Sequence, residues 1–160
     1  MELTDDVIRD YMGRCIELGK KCRGLVGVPH VGSLVLSSDG TVVGEGYRTF
    51  LDGTSYLMHA ERIALDQADV SARSGTLFTT LEPCKRYKKD RVRNVFSPCA
   101  ELVLERGITR VVFGLRDTSP FGNGGQYLEN HGVEIVRYDG LNSIIEYELM
   151  TSTRKKQGFI

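Results

Sequence analysis

Four residues of this chain could do chemistry together: His59, Glu61, Cys84 and Cys99. His59 and Glu61 bracket Ala60, and each cysteine directly follows a proline, Pro83 and Pro98. One imidazole and two thiolates suit tetrahedral zinc. Three protein ligands leave the fourth position open, which separates a catalytic zinc site from a closed structural one. No other strong ligand stands close by: His30 and His131 are far from these segments, and Cys15 and Cys22 belong to the first helical stretch. Glu61 lies two residues from His59, near enough to reach a bound water without binding the metal. Zinc brings the pKa of such a water to about 7, within range of a carboxylate base. The bland alternative for His59 and Glu61 is a helix-start histidine beside a solvated glutamate. The two Pro-Cys units downstream favour the metal.

The stretch "TTLEPCKRYKKDRVRNVFSPCAELV", residues 79 to 103, holds both Pro-Cys units with fourteen residues between the cysteines. Six of those fourteen are Lys or Arg, against the single acid Asp90. Ser97 is expected to cap the following helix with Pro98 in its first position, which puts Cys99 in the first turn, where the helix dipole favours a thiolate. Cys84 is expected to start a comparable turn. The basic segment reads either as a solvated loop or as a cradle for a substrate phosphate, with Lys88 and Arg91 as its cations. With Tyr87 and Phe96 it could instead contact a single-stranded nucleic acid, where bases stack on aromatic rings and cations follow the backbone.

The elements that must position these groups follow from periodicity. From Thr4, an N-cap followed by Asp5 and Asp6, apolar residues recur at Val7, Ile8, Tyr11, Met12, Cys15, Ile16 and Cys22, predicting a helix to about Lys21. Cys15 and Cys22 read as small buried hydrophobes on its inner face. "VGSLVLSSDGTVVGEGY" reads as a hairpin turning at Ser38-Asp39-Gly40. A loop with Asp52, Gly53 and Thr54 leads to the helix "HAERIALDQA", followed by the strand "TLFTTL" and the helix "CAELVLERG" ending at Gly107. Then come the strand "ITRVVFGL", the short helix "GGQYLENHG", the strand "VEIVRY" and the helix "NSIIEYELM". The order α-β-β-α-β-α-β-α-β-α predicts an α/β fold, a three-layer α-β-α sandwich around a mixed five-stranded sheet.

The 160 residues, 41% hydrophobic, fit one core-bearing domain over 1-150 with a polar, basic C-terminal tail at 151-160. Twenty-one basic and twenty-one acidic residues cancel, so no global field favours a polynucleotide or an anionic membrane. No apolar run approaches the roughly 20 residues of a membrane span. The start "MELTDDVIRD" lacks the order of a secretory signal, so a cytoplasmic protein is expected.

Taken together, the segments resemble the cytidine-deaminase superfamily, whose signature joins His-x-Glu to a later pair of cysteines beginning with Pro-Cys. "HAE" and "TLEPC" are most similar to the deaminase domain of the bifunctional riboflavin-biosynthesis deaminase/reductase, as are "VGSLVL" with "GEGY", "GITRVVFGLRDTSP" and "HGVEIV". The resemblance implies one zinc ion per chain on His59, Cys84 and Cys99, with Glu61 shuttling protons. It also implies that the Ala60 N–H and the Pro83 carbonyl hold the heterocycle and its amino group while water displaces ammonia. It implies an aminohydrolase acting on a cyclic amidine, assembled as a homodimer or homotetramer.

Three departures stand out. Fourteen residues lie between the cysteines, where most superfamily members have two, and fourteen exceeds even the longer gap of the riboflavin branch. Val28-Pro29-His30 stands where the riboflavin enzymes have Asn-Pro, and Asp117-Thr118-Ser119-Pro120 where they have Asp-Pro-Asn-Pro. The expected activity is deamination of an amino-substituted pyrimidine or related heterocycle, a small nucleotide-like molecule carrying ribose phosphate. The alternatives are deamination of cytosine or adenine in tRNA or single-stranded DNA, a less favoured partner, and a catalytically silent zinc-stabilised module.

Overall fold

The structure is a computed structural model, and it describes residues 1–51, 57–85 and 97–150. Lys88 and Arg91, the aromatic residues Tyr87 and Phe96, the loop residues Asp52 to Thr54 and the 151–160 tail lie outside the described residues.

Helix α1 (Asp5–Gly19) starts where expected: the Thr4 hydroxyl accepts the Val7 N–H at 3.3 Å, and Asp5 and Asp6 meet the positive end of the helix dipole. Strands β1 (Gly32–Leu36) and β2 (Val42–Tyr47) form the antiparallel hairpin, turning through Gly40 at φ +88°. A two-residue ribbon, β3 (Thr49–Phe50) with β4 (Leu57–Met58), precedes helix α2 (Ala60–Ala68). Then follow β5 (Thr76–Leu81), α3 (Cys99–Glu105), β6 (Arg110–Leu115), α4 (Gly124–Asn130), β7 (Glu134–Arg137) and α5 (Asn142–Leu149).

The sheet runs β2-β1-β5-β6-β7, antiparallel through β5 and parallel from β5 to β7, the mixed five-stranded sheet read from the sequence. Alternation along its strands divides the core. Val35, Leu77, Val111 and Phe113 face a layer built from Ala64 and Leu65 of α2, Ala100 and Val103 of α3, and Leu128 of α4. Leu34, Leu36, Phe78 and Val112 face the opposite layer, Ile8, Met12 and Ile16 of α1 with Ile145 and Leu149 of α5. The period of two in the strands therefore produces the sandwich directly.

Two glycines set the height of α2 above the sheet. A side-chain carbon on Gly44 would fall 2.1 Å from the Ala64 carbonyl oxygen, and one on Gly46 would fall 2.5 Å from that of Ala60. Their absence lets α2 rest its backbone on β2, with the start of α2 near the carboxyl end of β5, where Cys84 meets His59. Clefts at the carboxyl ends of strands are where α/β sheets bind ligands.

Three local expectations need correction. Cys22 lies beyond α1, although its thiol is buried against the Val31 carbonyl at 3.8 Å. Ser97 does not cap α3: Pro98 occupies the N-cap position and no side chain bonds there, because the Ser97 hydroxyl is taken by Arg62 at 3.2 Å. Cys84 starts no helical turn; it sits in irregular backbone three residues past β5.

Candidate metal centre and active site

His59 occupies the N-cap position of α2 in extended backbone, so its ring projects from the helix end while Ala60 and Glu61 enter the first turn. Cys84 arrives on the continuation of β5, and Cys99 is the first residue of α3. The His59 Nδ1 atom lies 3.6 Å from the Cys84 sulfur and 3.4 Å from the Cys99 sulfur. All three donor atoms fall within 4.8 Å of one another. Zinc at about 2.3 Å from sulfur and about 2.0–2.1 Å from nitrogen places tetrahedral donors about 3.6 Å apart, so the triad has the spacing of a zinc site. Among the described residues it is the one cluster of this kind. His30 and His131 are engaged elsewhere, with the Leu25 and Tyr127 carbonyls at 3.1 and 2.7 Å.

The two thiols are electrostatically unequal. Cys84 is held well below the usual thiol range, first by hydrogen bonding with the neighbouring Cys99 thiol and then by His59, against the opposing effect of burial. The Cys99 backbone N–H also donates to its sulfur at 3.3 Å. The first free N–H of α3 therefore serves the other cysteine's charge, which replaces the local helix-start account of Cys84. Cys99 is pushed well above the usual range by the adjacent Cys84 and by complete burial. Its deprotonation is thus coupled to arrival of a cation.

Glu61 is buried, and its Oε2 lies 4.0 Å from the Cys99 sulfur. Burial raises its carboxyl above the usual carboxylate range, while the neighbouring His59 acts the other way. A carboxyl shifted upward by desolvation is suited to taking and returning a proton near neutrality. Ala60 is fully buried at the foot of this group. Pro83 is buried too, and its carbonyl oxygen rests against Gly124, where a side-chain carbon would fall 1.8 Å away.

Two functional supports were missed in the sequence. Glu82 is buried, and its carboxylate accepts the Asp117 N–H at 3.0 Å and the Gly125 N–H at 2.8 Å, tying the Pro83-Cys84 segment to the β6–α4 loop. Its sequence signal is an acid placed directly between a buried strand and Pro-Cys. Arg62 is buried and bonds both the carbonyl and the hydroxyl of Ser97. Its signal is the His59-x-x-Arg62 spacing, which keeps a cation within the first turn after the ligand histidine. Of the two polar segments that differ from the riboflavin enzymes, Asp117 spends its carboxylate on its own loop, accepting the Ser119 N–H at 2.9 Å. In the other, the Pro29 carbonyl is held by Arg48 at 2.8 Å.

Comparison with known proteins agrees with this geometry. The sequence profile for the cytidine and deoxycytidylate deaminase zinc-binding region matches residues 6–115. The chain is 33% identical over 150 residues to the riboflavin biosynthesis protein RibD of Actinobacillus pleuropneumoniae, covering 89% of this chain and 37% of that one. It is 36% identical over 126 residues to the diaminohydroxyphosphoribosylamino-pyrimidine deaminase of Buchnera aphidicola, covering 77% and 78% of the two chains. Among solved structures, the diaminohydroxyphosphoribosylaminopyrimidine deaminase/5-amino-6-(5-phosphoribosylamino)uracil reductase of Thermotoga maritima superposes with a TM-score of 0.74 at 36% identity, over 93% of this chain and 42% of that one. The chain thus spans about two-fifths of the length of the Actinobacillus and Thermotoga relatives. No helix among the described residues is long and apolar enough to cross a membrane.

Proposed function

The chain belongs to the cytidine and deoxycytidylate deaminase zinc-binding family, and from that premise we propose that it hydrolytically deaminates an amino-substituted pyrimidine carrying ribose phosphate. The observation that carries the reading is the His59, Cys84, Cys99 triad with buried Glu61 beside it. The RibD and deaminase relatives support the substrate class.

His59, Cys84 and Cys99 would hold the metal. When bound, zinc supplies Lewis acidity and a water that ionises near neutral pH. Glu61 would take one proton from the attacking water and give it to the ring nitrogen, then take the second from the added hydroxyl and give it to the amino group, which leaves as ammonia while the ring carbonyl forms. Burial matters here: desolvation raises the Glu61 carboxyl above the usual carboxylate range, which makes it a stronger base than an exposed glutamate. The Ala60 N–H and the Pro83 carbonyl flank the ring, the latter accepting from the amino group so that the scissile C–N bond is held against the attacking oxygen. Lys88 and Arg91 are the cations assigned to the phosphate. We assign the active form to a homodimer or homotetramer.

The test is ammonia release from phosphoribosylaminopyrimidines, cytidine, deoxycytidine monophosphate and guanine or adenine derivatives. Turnover confined to phosphorylated aminopyrimidines is expected. Turnover of unphosphorylated nucleosides at equal kcat/KM would overturn the substrate class, and activity only on cytosine or adenine within oligonucleotides would replace it with the polynucleotide reading.

A further inference from the structure

The two thiols reach the centre by different routes. Cys84 is delivered by the sheet: Leu81 pairs with Leu115 of β6, the Glu82 N–H donates to the Leu115 carbonyl at 2.8 Å, and the Lys85 N–H donates to Phe121 at 2.8 Å. Cys99 opens a helix of seven residues that has no side-chain cap. The first turn of α3 is tied to Cys84, the Cys99 N–H donating to its sulfur at 3.3 Å and the Ala100 N–H to its carbonyl at 3.0 Å, while Ser97, just before that turn, is held by Arg62.

Arg62 lies in the first turn of α2, three residues after His59 at the N-cap position. It is 7% exposed, and a single guanidinium nitrogen, Nη2, bonds both the carbonyl oxygen and the hydroxyl of Ser97, two residues before Cys99. A guanidinium is a planar donor that can hold backbone and side chain together, which an ammonium does less well. Partners of this kind, one step removed from metal ligands, fix ligand orientation.

We propose that Arg62 is a positioning residue for the metal centre: by clamping Ser97 to α2 it fixes the approach of Cys99 to His59. A single helix then sets two corners of the donor triangle, the imidazole directly and the second thiolate through the clamp, whatever the length of the segment between the cysteines. The inference rests on the metal-centre reading above.

Cobalt(II) is the probe, because sulfur-to-cobalt charge-transfer absorbance per bound ion reports how many thiolates ligate. The full chain is stripped of metal and titrated with cobalt, with affinity measured by chelator competition and folding checked by circular dichroism of the apoprotein. Parent protein is expected to show the intensity of two thiolates. Arg62→Met should keep its apoprotein spectrum, bind about 10-fold or more weakly, and give an intensity nearer one thiolate. Arg62→Lys should recover part of both, and Ser97→Ala, which keeps the carbonyl contact, should lose less than Arg62→Met. Arg62→Met with parental affinity and intensity overturns the proposal. If Arg62→Met does not fold, Arg62→Lys decides: weakened binding supports the clamp, unchanged binding overturns it. A parent protein with no charge-transfer band would instead overturn the metal-centre reading itself.

Discussion

Replacing Gly124 with alanine ought to be mild by helix propensity, since alanine is favoured over glycine by up to about 1 kcal/mol within a helix. The structure predicts the opposite. The added carbon would sit 1.8 Å from the Pro83 carbonyl oxygen. An ordinary carbon-to-oxygen contact is about 3.4 Å, so the two backbones must part by roughly 1.5 Å. Neither side yields easily: α4 is held by the Gly125 N–H on Glu82 at 2.8 Å and by fully buried Leu128, and the Pro83 side by its continuation from β5. A shift of even part of that distance at Cys84 exceeds the ±0.2 Å tolerance expected of metal-ligand distances. We expect Gly124→Ala to weaken zinc binding at least ~10-fold, to lower kcat/KM by about 10²-fold, and to destabilise by about 1–3 kcal/mol as an overpacked contact does. Chelator competition, with thermal unfolding of the apoprotein alongside, checks both effects. Zinc affinity within twofold of the parent, together with unchanged or raised stability, would refute the claim that Gly124 is kept bare to seat the Pro83-Cys84 segment.

Glu61→Gln should lower kcat by about 10²–10⁴-fold with zinc content unchanged, measured as ammonia release and metal per chain; full activity would remove Glu61 from the proton path. Glu82→Gln replaces an acceptor for one of its two N–H partners, those of Asp117 and buried Gly125, with a donor, and should destabilise by about 1–3 kcal/mol, a fall in Tm on the order of 5 °C by calorimetry. Metal-free protein exposed to an alkylating agent should be modified at Cys84 before Cys99, because the Cys84 thiol is shifted down and that of Cys99 is shifted up by contact and burial. The sign gives the pH window: a lowered pKa keeps Cys84 ionised and reactive below the ordinary thiol range, whereas Cys15, raised by burial, stays protonated and silent there. Peptide mapping after labelling between neutral pH and that range checks the order, and equal labelling of Cys15 and Cys84 would contradict it.

The local chemistry of this protein is written in its residues. A period of two in Leu34-Val35-Leu36 and in Val111-Val112-Phe113 assigns opposite faces of the sheet, and the period of α1 assigns its buried side; both depend only on neighbours in the chain. The same holds for the donors, because zinc needs particular atom types and His59, Cys84 and Cys99 supply them. What the tertiary structure decided is how those atoms are held and charged. Local reasoning gave each cysteine its own helix start, yet one N–H, that of Cys99, serves the sulfur of Cys84. It made Ser97 a cap, yet Arg62, 35 residues away in sequence, holds it instead. Glu82 carried no signal of its partners because they lie 35 and 43 residues distant. Such pairings arise when β5, β6 and α2 are packed side by side, where a buried carboxylate or guanidinium must find a partner among whatever backbone the fold brings near. Donor identity is a property of the sequence; donor geometry is a property of that packing.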